Sequence, residues 1–191
     1  EEDIHELYTE IGLDGILDQN IFNYSLIGYS NLIKNGLVKN QSLVTIIDYT
    51  KPSTEKRLYV IDLYSKRLLF NTLVAHGKNT GENHAAYFSN EVGSFKSSLG
   101  FFVTLDTYFG QNGYSLKLKG LEDDFNDKAE ERYIVMHGAD YVSYDFIQEH
   151  GRIGRSWGCP AVPRHYTKSI IDRIKQGSPV FIYHNNPQYL N

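Results

Sequence analysis

Apolar residues in the first forty positions recur at steps of three and four. Ile4, Leu7, Tyr8 and Ile11 share one helical face, and Asp18 opens a second run through Phe22, Leu26, Tyr29 and Ile33. Asn35-Gly36 supplies a C-terminal stop for the second run. The spacing predicts a small helical pair laid against a larger body.

From Leu43 the pattern changes. "SLVTIIDY", "RLYVIDLY", "RLLFNTLVAHG", "LGFFVTLDTYFG", "YSLKLKG" and "RYIVMHG" are β-branched and aromatic runs separated by turn residues, and each reads as a strand. "YSKR" at 64–67 and "GQNG" at 110–113 are the expected hairpin turns, the second offering Asn-Gly for a primed turn. One helix is predicted from near Ser143 to just before Gly151. A longer one runs from about His165 to Lys175, with Ile170, Ile171 and Ile174 inward and Gly177 closing it. "SPVFIYH" is a last strand. The sum is a β-rich α+β fold: an N-terminal helical segment over 1–42, then a sandwich or barrel-like domain over 43–191 with a few short helices.

Composition narrows the partners. Net charge is -4 with no basic run, so nothing is available to neutralise a row of phosphates, and nucleic acid and anionic membranes are excluded as partners. No stretch reaches the roughly 18 apolar residues of a membrane span. Fifteen tyrosines and ten phenylalanines suit a sheet core or a groove that grips a polar polymer. The chain opens on Glu-Glu-Asp rather than methionine, which is read as a processed start with any signal peptide removed.

The chemistry gathers around the only cysteine, in "GRIGRSWGCPAVP" (151–163). A thiol is a weak nucleophile at neutral pH until a base or a positive field assists it. His137 is the candidate base, because it ends the apolar run "RYIVM" and precedes Gly138, which places its ring at a sheet edge. Around Cys159, Gly158 lets backbone approach a substrate, Ser156 has a hydroxyl to hold the loop, and Pro160 keeps the cysteine extended. Pro160 has no N–H, so an oxyanion hole has to come from the amides of Cys159, Gly158 and Trp157. Trp157 is expected on the groove wall. Arg155 and Arg164 are candidates for a substrate carboxylate, and His76 in "VAHGKNTG" for either the groove or simple packing.

"YIVMHG" followed by "RSWGCPAV" resembles the catalytic signature of the YkuD-type L,D-transpeptidases: His-Gly, a spacer, then Ser-x-Gly-Cys. "LFNTLVAHGKNTG", "SSLGFFVT" and "GSPVFIYH" are similar to strands of that family, and "FSN" and "GLEDDFNDKAEERYIVMHGADYV" to its murein L,D-transpeptidase branch. The resemblance covers residues 43–191 and implies the YkuD-like β-rich fold. It implies a cysteine acyltransferase that attacks a peptidoglycan stem peptide before its terminal D-alanine and passes the acyl group to an amine. In the family a backbone carbonyl orients the histidine, here that of Gly138. It also implies no metal or organic cofactor, an extracytoplasmic location, and β-lactams of the carbapenem class as inhibitors. Ala161 stands where the family often carries arginine or asparagine, so that polar contact falls to another group, such as Arg155 or Arg164, or is absent. The spacer from His137 to Ser156 is also slightly longer than in the commonest version.

Competing readings are weaker. A zinc site of His76, Glu82, His84 and His137 lacks a tight ligand pair followed by a third ligand. "HGKNTG" has no Gly-Lys-Ser/Thr and is no phosphate loop. "LEDDFND" reads as a solvated loop. An L,D-carboxypeptidase using the same dyad with water as acceptor, and a silent wall-binding module, remain as alternatives.

Overall fold

The computed structural model describes residues 2–191. Eight strands form one sheet: β1 (Leu43–Asp48), β2 (Leu58–Asp62), β3 (Arg67–Thr72), β4 (Gly100–Gly110), β5 (Gly113–Gly120), β6 (Val135–Ala139), β7 (Ala161–Pro163) and β8 (Pro179–Tyr183). Their order is β3-β2-β1-β8-β4-β5-β6-β7. The β1–β8 and β6–β7 pairs are parallel and the other pairs antiparallel. An antiparallel bridge between Ala75 and Ala161 links the segment after β3 to β7, so the sheet curls until its two edges nearly meet. The fold is β-rich α+β and barrel-like.

The helices are α1 (Glu2–Ile11), α2 (Gln19–Lys34), α3 (Tyr144–His150), α4 (Arg164–Ile174) and α5 (Pro187–Leu190). Local chemistry sets several ends. Asp18 caps α2 by accepting from the N–H groups of Asn20 and Ile21, and Ser143 caps α3 through the N–H of Phe146. Gly151 closes α3 in the left-handed region.

Strands β1, β2 and β8 are buried along their whole length because both of their faces are covered. Leu43, Ile47, Leu58, Val60, Val180 and Ile182 face the main core with Ile170, Ile171 and Ile174 of α4. Val44, Ile46, Tyr59, Ile61, Phe181 and Tyr183 face the other way, onto Leu13 and Leu17 of the segment between α1 and α2 and Ile21, Phe22 and Leu26 of α2. The period of two that sorts these residues is the strand's own geometry. By contrast β5 buries Leu116 and Leu118 and exposes Lys117 and Lys119, as a half-covered strand should.

Three details differ from the sequence reading. The β4–β5 turn pairs Gly110 with Gly113, and only Gly113 takes a positive φ, so it is not a primed turn, which needs positive φ at its first central residue. β7 is a three-residue strand containing proline, too short for a periodic signal. "LEDDFND" is not merely solvated. Asn126 is fully buried and donates to the carbonyls of Leu99 and Phe101, while the Glu122 carboxylate accepts from the Phe101 N–H and the Tyr189 hydroxyl.

Candidate active site

Two neighbouring strands bring Cys159 and His137 together. β6 and β7 run parallel with His137 opposite Ala161. Two residues earlier on each chain, Cys159 therefore lies level with Val135, whose N–H points at Sγ from 3.4 Å. Gly138 is required here because α4 crosses β6 closely: a Cβ at that position would lie 2.2 Å from the Thr167 hydroxyl.

The loop before Cys159 is fixed from within and from outside. Ser156 Oγ donates to the Cys159 carbonyl at 2.6 Å and accepts from the Gly158 N–H at 3.1 Å. The adjacent segment 75–78 holds it from the side, through Ser156 N–H to the His76 carbonyl, Lys78 N–H to the Ser156 carbonyl, and Ala75 N–H to the Ala161 carbonyl. Gly158 adopts φ +122, and a Cβ there would come within 2.7 Å of the Lys96 carbonyl. Glycine is needed on both counts.

His137 is buried on β6, and its Nδ1 lies 2.9 Å from the Gly138 carbonyl. A carbonyl only accepts, so Nδ1 carries the proton and Nε2 keeps its lone pair. Burial lowers the imidazole pKa below 6.5 and the positive charge of Arg164 adds to this, against the Gly138 hydrogen bond. Burial raises the Cys159 thiol above 9.0, with the Val135 N–H and Arg132 acting in the opposite direction. The resting pair is thus neutral thiol and neutral imidazole. The thiol proton has an acceptor in the Tyr133 carbonyl, 3.4 Å from Sγ.

Cys159 and His137 line one open cavity of about 670 Å³, with Tyr108, Tyr133, Tyr141, Arg132, Arg155 and Trp157 among its walls. Trp157 is 73% exposed and packs against Phe95 with ring centroids 5.5 Å apart, a wall rather than a core residue. Arg155 lines the cavity while its Nη1 binds the Lys78 carbonyl and the Glu82 carboxylate.

Other expected site residues lie elsewhere. His76 is 1% exposed, with Nδ1 on the Arg57 guanidinium and Nε2 on the carbonyls of Gly81 and Glu82, so it packs inside the protein and does not line the cavity of Cys159. Arg164 is ion-paired with Asp140 at 2.6 Å and lines a different cavity, beside Lys56, Tyr144 and His165. The Gly158 N–H is occupied by Ser156 Oγ, which leaves the amides of Cys159 and Trp157 as the backbone donors for an oxyanion. Among the described residues no three histidine, cysteine, aspartate or glutamate side chains are grouped as metal ligands.

Tyr108, Tyr133, Tyr141 and Arg132 of the Cys159 cavity wall escaped the sequence reading, and two of them bear on the chemistry. Tyr141 follows His137 by four positions, and its hydroxyl, pushed up to about 12 chiefly by burial, stays protonated and makes no hydrogen bond among the described residues. Arg132 precedes the apolar run of β6, where a charge between strand and loop carries no spacing signal.

A family model described as the L,D-transpeptidase catalytic domain matches residues 14–183. No curated protein matches. Among solved structures, an L,D-transpeptidase from Mycobacterium smegmatis aligns at 12% identity and TM-score 0.46, covering 75% of this chain and 59% of that one. The L,D-transpeptidase LdtMt1 in complex with imipenem aligns at 11% and 0.45, covering 74% and 59%. The helical cell shape determining protein Pgp2 from Campylobacter jejuni aligns at 13% and 0.48, covering 76% and 48%. The chain thus spans less than two thirds of the length of each.

Proposed function

The chain belongs to the L,D-transpeptidase catalytic-domain family, and from that premise we propose that it is a peptidoglycan L,D-transpeptidase with Cys159 as nucleophile. The observation that carries the reading is the His137 hydrogen bond to the Gly138 carbonyl, because it leaves a basic Nε2 in the cavity that holds the thiol.

The proposed reaction follows from these groups. Nε2 takes the Sγ proton as the sulfur adds to the carbonyl of the third stem residue. The amides of Cys159 and Trp157, with the Tyr141 hydroxyl, face the oxyanion. Collapse breaks the peptide bond, D-alanine leaves with the proton from Nε2, and a thioester remains on Cys159. An acceptor amine then adds to the thioester, gives its proton to Nε2 and releases the thiol. Arg155 meets the stem carboxylate through Nε and Nη2, which bind nothing else among the described residues. The work is expected outside the cytoplasm, where the polymer lies. No helix of the described residues is long and apolar enough to cross a membrane.

A disaccharide-tetrapeptide incubated with the protein and a free D-amino acid, and followed by mass spectrometry, tests this. The expected result is exchange of the terminal D-alanine, or a cross-linked dimer, absent with Cys159→Ala. Cysteine-dependent tripeptide alone would make it the carboxypeptidase. No change with any stem would overturn the enzyme reading. A carbapenem is expected to add its intact mass to Cys159 and nowhere else. An unmodified protein whose thiol still titrates as free would contradict that.

A further inference from the structure

Two arginines line the cavity of Cys159, and they differ in how their charge is met. Arg155 is paired with the Glu82 carboxylate at 3.2 Å. Arg132 has no carboxylate partner among the described residues. Its Nη1 donates to the Ser89 carbonyl and Ser98 Oγ, and its Nη2 to Ser94 Oγ and the Lys96 carbonyl, at 2.6–3.1 Å. All four acceptors are neutral.

A guanidinium has five N–H donors. Four are spent on the protein, so only Nε–H remains. A fork used up in this way cannot take a substrate carboxylate by two parallel bonds. Nor can it swing, because its four acceptors, on Ser89, Ser94, Lys96 and Ser98, are spread along the 89–98 segment. What it offers the cavity is a fixed, uncompensated positive charge. Its place is beside the nucleophile: a Cβ on Gly158, the residue before Cys159, would lie 3.2 Å from Nη2.

We propose that Arg132 is a positioning residue that serves as the fixed counter-charge of the Cys159 thiolate. The substrate carboxylate is left to Arg155. The thiol is held neutral at rest by burial and the Tyr133 carbonyl. On losing its proton to His137, the sulfur turns to the Val135 N–H and the Arg132 field, both built before substrate arrives. The other titratable groups near the sulfur are His137 on β6, Tyr133 before that strand, Tyr141 after it, Arg155 on the nucleophile loop, Tyr108 on β4 and Tyr49. None of them supplies an unpaired fixed cation. The proposal rests on Cys159 being the nucleophile, but it concerns the ionisation of the thiol and not the substrate.

The test is therefore the pH dependence of Cys159 alkylation by iodoacetamide, which needs no stem peptide. Arg132→Gln is expected to move the midpoint up by about one pH unit, which is about tenfold slower alkylation at pH 7. Arg132→Lys should recover most of the shift. Ser94→Asp sets a carboxylate beside Nη2 without removing the arginine. It should raise the midpoint too, and it decides the matter if Arg132→Gln fails to fold. An unmoved midpoint in Arg132→Gln and in Ser94→Asp, or equal shifts in Arg132→Gln and Arg132→Lys, would show that Arg132 only fastens the loop. Inactivity on stem peptides with these shifts intact would overturn the proposed function and leave this inference standing.

Discussion

Replacing His137 with alanine is expected to slow acylation of Cys159 by roughly 10²–10⁴-fold, the usual worth of a positioned general base. The size follows from the resting state. With the thiol held above 9.0, little thiolate exists at neutral pH, and the histidine has to remove the proton as the bond forms. The pH profile should change as well as the rate. In the native protein the imidazole works only when neutral, so activity falls as pH drops through a value below 6.5 and stays level above it until the thiol itself ionises. In His137→Ala that acid limb should vanish, and the rate should climb with pH past 9, tracking free thiolate. Carbapenem acylation followed by intact mass across pH measures both. A variant that keeps the acid limb, or loses less than about threefold in rate, would remove His137 as the base.

The proposed pair of Cys159 and His137 stood out in the sequence because its residues are chemically rare and sit in contexts with few other uses. A lone cysteine between glycine and proline and a histidine at the end of an apolar strand both point at chemistry. His76 shows the limit of such reading. As text, a histidine before glycine at the end of an apolar run is the same signal as His137-Gly138. What separates them is the tertiary neighbour: Arg57 covers the ring of His76, whereas an open cavity faces His137. The helices were legible in outline because caps such as Asp18 and Ser143 and faces such as Ile170, Ile171 and Ile174 are local features. β7 and the inward Asn126 were not, since a three-residue strand has no period and a buried amide is polar on paper. Arg132 was hidden for a further reason. Its meaning lies in four partners contributed from 89–98, more than thirty positions upstream.

Arg57→Met is expected to cost about 3 kcal/mol of stability and, with it, most of the activity. Arg57 is fully buried, and its guanidinium serves the carbonyls of Lys51 and Val74 and Nδ1 of His76, with its carbon stacked 4.8 Å over Tyr49. Methionine fills much of the space and removes a desolvated charge, but it strands two buried acceptors, the Val74 carbonyl and His76 Nδ1, at about 1–3 kcal/mol each, and the half-buried Lys51 carbonyl besides. For a domain of this size the net loss lowers the melting temperature by about 10 °C. A second signature separates this from ordinary core damage. His76 is depressed to about 3, first by burial and then by Arg57, so the folded protein holds it neutral while the unfolded chain takes up a proton below 6.5. Stability therefore falls as pH falls from 6.5 towards 3. Without the arginine charge His76 protonates more easily in the fold, and that acid slope should become shallower. His137 and His184, also depressed by burial, slope the same way in both proteins and cancel in the comparison. Equal slopes with a lowered melting temperature would reduce Arg57 to a packing group. A melting temperature within about 2 °C of the native protein would show that its hydrogen bonds are replaceable. The expected loss of activity enters through the same bonds: Arg57 and His76 hold the 74–82 stretch, and that stretch carries the His76 carbonyl and Lys78 N–H that pin Ser156 on the loop of Cys159.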